Sequence, residues 1–185
     1  VVFHRSVTTT NQKVFYLNTT GAVADYSNGS YTWWHLLPDA TVFYIGDTGT
    51  AINNGSNDMI SYHWHDVPGL QKFGSFEGNG SADGPFVELG FKPAVVILKN
   101  VDNYGTGYDW FMFDNQRDES NPCSNVLLTN SSDNASSSNS IDFLSNGFKL
   151  RATTNGINLN AHTIVYAAWA EVPTANLFGG QSNAR

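Results

Sequence analysis

The segment Ile141-Asp142-Phe143-Leu144-Ser145-Asn146-Gly147-Phe148-Lys149-Leu150-Arg151-Ala152 places short apolar runs on either side of a Ser-Asn-Gly turn. Asn-Gly reaches positive φ cheaply, so the stretch reads as strand, tight turn, strand. The two strands are expected at Ser140–Leu144 and Phe148–Ala152. Outward from this hairpin the same pattern recurs. Toward the C-terminus it predicts a strand at Thr163–Val172. Toward the N-terminus it predicts strands at Asn125–Thr129, Asp109–Phe113, Ala94–Asn100, Phe86–Leu89 and Lys72–Gly78. Further back, Met59–Val67, Thr41–Ile45, Tyr31–Leu36, Lys13–Asn18 and Val1–Val7 complete the set. Turn signals sit at Asn53-Asn54-Gly55, Asn79-Gly80 and Asn155-Gly156, and Asn130 to Ser140 is a long polar loop. No window carries a sustained 3.6-residue apolar period, so the expected class is all-β, with short strands spaced as in a sandwich or barrel.

Parts of the chain resemble one another. Ile164 to Pro173 (IVYAAWAEVP) matches Met59 to Pro68 (MISYHWHDVP) at a shift of 105 residues, pairing Trp64 with Trp169 and Asp66 with Glu171. VVFHRSV (Val1 to Val7) matches VVILKNV (Val95 to Val101), VFYLN (Val14 to Asn18) matches WFMFD (Trp110 to Asp114), and the run Leu36 to Asp47 parallels Phe143 to Thr154. Matches in one conserved order point to a tandem duplication. The expected architecture is two tandem homologous β-sandwich modules, jelly-roll-like. Residues 1–69 form the C-terminal part of the first, which lacks its N-terminal part, and residues 70–185 form a complete second. Pro68-Gly69 marks the boundary.

Composition narrows the function. Of the 185 residues 41% are hydrophobic and 14% aromatic, enough to bury one large core or two small ones. A formal charge of -7 leaves no basic face for phosphates, which argues against nucleic acid as a partner. No apolar run approaches the roughly 20 residues of a membrane span. The single cysteine, Cys123, excludes an intrachain disulfide. Six Asn-x-Ser/Thr sequons, at Asn18, Asn28, Asn54, Asn79, Asn130 and Asn134, are what chance yields in so Asn- and Ser-rich a chain.

Candidate sites follow from side-chain chemistry. His63 and His65 share one face of an extended strand and could ligate a metal only with a third ligand from elsewhere. The repeat places alanine at both positions, so the segment reads as a strand first, with no metal and no cofactor expected. Carboxylates at Asp66, Asp83, Glu88, Asp109, Asp114, Asp118, Glu119 and Glu171 cannot be paired from sequence into the two-acid arrangement of a glycoside hydrolase. No nucleophile elbow, phosphate loop or zinc-spaced Cys/His cluster occurs, so an enzyme is not expected. Aromatic rings stack on sugar faces, and Trp33, Tyr104, Tyr108 and Trp110 lie among Asn, Asp and Gly residues where a glycan-binding surface would carry them. Trp34 neighbours Trp33, while Trp64 and Trp169, recurring in the repeat, are expected in the core.

The strings LQKFGSFEGNGSADGPFVELGFKPAVVILKN (Leu70 to Asn100), IDFLSNGFKLRAT and YAAWAEVP resemble a domain recurrent in virion proteins of tailed bacteriophages, notably marine and cyanobacterial phages, often labelled tail fibre or structural protein. The resemblance covers Leu70 to Arg185 and extends weakly over the first copy. It implies a virion-surface location, other virion proteins as partners, a homo-oligomer (trimer or array) and contact with a host-surface glycan. The alternatives are a capsid decoration or head-fibre protein and, third, a polysaccharide-degrading enzyme. No catalytic motif comes with the resemblance.

Overall fold

The computed structural model describes residues 2–6, 13–25, 41–43, 58–103, 105, 108–133 and 140–172. Within them the chain is all-β apart from one helical turn. Its elements are β1 (Lys13–Val14), β2 (Ala24–Asp25), β3 (Gln71–Glu77), β4 (Phe86–Glu88), β5 (Pro93–Asn100), β6 (Trp110–Asp114), β7 (Leu127–Leu128), β8 (Ile141–Leu144), β9 (Gly147–Leu150), α1 (Asn155–Asn158) and β10 (Thr163–Ala170). Every pairing between them is antiparallel. One sheet has the order β3-β10-β5-β6-β7, a second β4-β9-β8, and β1 pairs with β2 alone.

Side-chain alternation assigns the faces. Val96 and Leu98 of β5, Phe111 and Phe113 of β6, and Ile164, Tyr166 and Ala168 of β10 point into one core. The three-stranded sheet meets them there with Val87, Ile141, Phe143, Phe148 and Leu150. Phe148, fully buried, packs edge-on against Phe76 at 6.1 Å and Tyr166 at 5.8 Å. The β8–β9 hairpin turns through Ser145 and Asn146, with Leu144 opposite Gly147. A Cβ at Gly147 would lie 2.1 Å from the Val87 carbonyl oxygen, so the close approach of β4 requires glycine there.

The opposite face of the five-stranded sheet is covered as well. Phe15, with Val2 and Val23 beside it, packs on Ile97, Val101, Trp110 and Val165. Hydrogen bonds fasten this strap: Trp110 Nε1–H donates to Tyr16 O (3.0 Å), Val23 N–H to Val101 O (3.0 Å), and Val2 and Phe15 form an isolated antiparallel bridge. Lys99 lies beneath it, fully buried, its ammonium donating to Tyr108 O (2.7 Å) and Thr20 O (3.2 Å). Burial pulls its pKa down to about 8, against the opposing attraction of Asp109.

The segment GNGSADGP (Gly78 to Pro85) folds around one buried side chain. Asn158, fully buried in α1, donates through Nδ2 to Ala152 O (2.9 Å), Ser81 O (2.8 Å) and Asn79 Oδ1 (3.2 Å). Its Oδ1 accepts from Asn79 N–H at 2.9 Å. The loop's Asp83 is exposed and pairs with Lys149 at 2.8 Å, and that contact holds its carboxyl below the usual range. The most distinctive strings of the C-terminal part thus encode close packing and a hydrogen-bonded staple.

From Lys72 onward each expected strand is present within a few residues of its expected bounds. The N-terminal part differs. Among the described residues 2–6 only Val2 makes a bridge, and of Lys13–Asn18 only β1 and the Phe15 bridge are β. Tyr31–Leu36 and Asn53-Asn54-Gly55 lie outside the described residues, and 41–43 are not strand. Met59–Val67 is not a strand either: only Val67 bridges, to Gln71. The local cause is that Phe73 N–H, which a continuing hairpin would use, is bound by Asp66 Oδ1 at 2.8 Å. Asn155-Gly156 opens α1 instead of forming a turn.

Candidate functional site: an exposed aromatic arm

Val67-Pro68-Gly69-Leu70 makes a β-turn closed by Leu70 N–H to Val67 O (3.0 Å), with Gly69 at φ 74°. Proline second and a positive-φ glycine third fit a type II turn. Gln71 and Val67 then exchange both backbone bonds, at 2.9 and 3.0 Å. Before this anchor, residues 58–66 run as an arm outside any ladder. Their apolar side chains are open to solvent, with Ile60 81%, Tyr62 74% and Trp64 58% exposed.

Tyr62 and Trp64 are two residues apart and therefore fall on one side of an extended chain. Their ring centroids are 6.0 Å apart and their planes 23° from parallel. His63 lies 4.0 Å from the Phe43 ring, centroid to centroid, and its Nε2 is 2.9 Å from Ser61 Oγ. His65 Nδ1 is 2.9 Å from Asp66 O. Gln71 Nε2 donates to His65 O at 2.8 Å, tying the root of the arm to β3. Two near-parallel, solvent-facing rings form a platform suited to a flat, partly apolar ligand, while His63 and His65 lie on the other side of the extended chain.

Among the described residues no three His, Cys, Asp or Glu side chains group closely enough to hold a metal ion. Most of the carboxylates named from sequence serve the fold. Asp66 caps Phe73 N–H, Asp114 accepts from Gln116 and Arg117 amides, and Asp118 from Ser124 (2.6 Å) and Asn125 (2.7 Å) amides. Asp109 accepts from Asn130 Nδ2, and Asn130 Oδ1 in turn accepts Trp110 N–H. Asp142 pairs with Arg151, and Glu171 with Lys92 at 2.7 Å.

The aromatic residues named from sequence are distributed differently. Trp33, Trp34 and Tyr104 lie outside the described residues. Tyr108 and Trp110, expected as exposed ligand contacts, are 8% and 7% exposed. Trp110 stacks on Phe15 at 5.4 Å and Tyr108 OH meets Asn103 Nδ2 at 3.2 Å, so neither ring offers a free face. For Trp110 the cause is that the strap of residues 13–25 covers the sheet face that a one-sided sheet would leave wet. Trp64, expected in the core, is the exposed ring instead, because its segment leaves the sheet at Asp66. The signal for Tyr62 and Trp64 was present as alternation in SYHWHD, where the repeat made burial the simpler reading.

Residues 1–173 match the family model described as a domain of unknown function, DUF7483, and the chain belongs to that family. No curated protein and no solved structure matches the chain.

Proposed function

We propose that the chain is a surface module of a tailed-bacteriophage virion, the C-terminal part of a tail fibre or similar appendage, that recognises a host-surface glycan and performs no catalysis. The Tyr62–Trp64 pair carries the glycan reading: two rings on one side of the arm, in water, anchored at one end to a rigid sheet. The pyranose C–H face is apolar, which suits the exposed faces of the two rings. The virion assignment rests on the sequence resemblance. A stable, disulfide-free all-β domain with a net charge of -7 is compatible with a life on a particle surface.

The tandem arrangement of two sandwich modules belongs to the same proposal. The antiparallel Val2–Phe15 bridge joins the two blocks that the repeat aligns with β5 and β6, which also pair antiparallel. A second reading, a capsid decoration or head-fibre protein, draws on Met59 and Ile60, 53% and 81% exposed, whose aliphatic side chains suit protein contact better than sugar.

One experiment separates the two. The purified chain is cosedimented with bacterial cells before and after periodate oxidation of their surface glycans, and its mass in solution is measured by light scattering. Binding that periodate abolishes supports glycan recognition. Absence of cell binding with concentration-dependent self-association supports the decoration reading and overturns the first.

A further inference from the structure

We propose that the arm 58–66 closes onto the outer edge of β3 as a sixth strand of the five-stranded sheet. The inference starts from the ladder. Gln71 spends both backbone groups on Val67, and alternation in an antiparallel pair then turns Gln71, Phe73, Ser75 and Glu77 away from β10. Phe73 N–H is taken by Asp66 Oδ1. No described residue hydrogen-bonds the outward amides of Ser75 and Glu77, so β3 ends the sheet with an open edge.

The hairpin that would fill this edge already has its turn and its first pair. Continuing the Val67–Gln71 register sets Asp66 opposite Lys72, His65 opposite Phe73, Trp64 opposite Gly74, His63 opposite Ser75 and Tyr62 opposite Phe76. The side chains suit one another: opposite charges at Asp66 and Lys72, and an aromatic pair at Tyr62 and Phe76. A slip of one residue puts Asp66 opposite Phe73 or Gln71 and Tyr62 opposite Glu77 or Ser75, losing the charge pair and the aromatic pair. Closure needs two exchanges at the root. Phe73 N–H passes from the Asp66 carboxylate to His65 O, and His65 O gives up Gln71 Nε2.

Closure lays Tyr62 and Trp64 against β3, so the arm has an open state that displays the aromatic pair and a closed state that withdraws it. Only this consequence rests on the glycan reading; strand closure stands without it.

The test is residue-resolved amide hydrogen exchange on the unmodified chain. Closure predicts that His63 and Ser75 amides, bonded only in the closed ladder, exchange at least tenfold slower than unstructured amides. Exchange of both at unstructured rates overturns the proposal. As a second measurement, His63→Cys/Ser75→Cys is compared with the out-of-register His63→Cys/Glu77→Cys, both in a Cys123→Ala background. The in-register pair faces across about 5.5 Å between Cα atoms, within disulfide reach. It is expected to oxidise at least tenfold faster, and equal rates overturn the register. Neither readout involves a glycan, so loss of glycan binding and loss of closure are separable.

Discussion

Replacing Asn158 with alanine removes two N–H donors shared among three oxygen acceptors, and one accepted hydrogen bond, at a fully buried position. Ser81 and Asn79 are exposed and recover part of the loss from water, whereas the carbonyl of Ala152, 5% exposed, does not. One or two stranded buried polar groups at about 1–3 kcal/mol each, plus a small void, give roughly 2–4 kcal/mol of destabilisation. For a chain of this length, about 3 kcal/mol lowers the melting temperature by roughly 6–12 °C. Urea unfolding followed by tryptophan fluorescence reads the free energy directly, and an unchanged m-value shows that the same surface unfolds. Asn158→Asp is expected to cost more at neutral pH, because a carboxylate would face Asn79 Oδ1, Ser81 O and Ala152 O, and to recover as acid protonates it. A loss below about 0.5 kcal/mol for Asn158→Ala, the range of an ordinary surface change, would refute the staple as the reason GNGSADGP folds as it does.

Lys99 has a folded-state pKa near 8 against an ordinary 10.5, so between these values the unfolded chain binds more protons and stability rises with pH. Relative to Lys99→Met the wild-type chain should therefore gain stability from pH 8 to 10.5, by at most roughly 3 kcal/mol, and a pH-independent difference would contradict the buried ammonium. Cys123 has the opposite sign: burial, with Asp118, Asp142 and Asp114 nearby, pushes its thiol up to about 11, so its contribution is present below pH 9 and lost toward 11. Disulfide reagents at pH 8 should label it only as fast as the protein opens; labelling at the rate of a free thiol would place it at the surface. Trp110→Ala, which empties the contact under the strap, should cost about 3–5 kcal/mol, while Trp64→Ala should stay within about 1 kcal/mol, and denaturant melts of the pair check the contrast.

Much of the fold was legible because it obeys local rules. β5, β6, β8, β9 and β10 are apolar, β-branched or aromatic runs between turn residues, and each has a neighbour to complete its ladder. The arm was misread because MISYHWHD has strand-forming residues and strand alternation, yet strand formation needs a partner edge, and the carboxylate that blocks the edge sits in the same motif. Trp110 was misplaced for a different reason. Its strand alternates correctly, but which face is dry depends on a strap contributed from residues nearly a hundred positions earlier, a contact that periodicity cannot reveal. The distinctive glycine-rich strings carried structural rather than chemical information, since Gly147 marks a close backbone approach and Asn79-Gly80 a loop held by Asn158.

The most direct measurement is calorimetric titration of the wild-type chain, Tyr62→Ala and Trp64→Ala with a panel of bacterial envelope polysaccharides, alongside a thermal melt of each protein. The aromatic-arm reading predicts that one polysaccharide binds the wild type and that each substitution weakens it at least tenfold, about 1.4 kcal/mol, with the melts superimposable. A polysaccharide bound equally well by all three proteins, or by none, would contradict it.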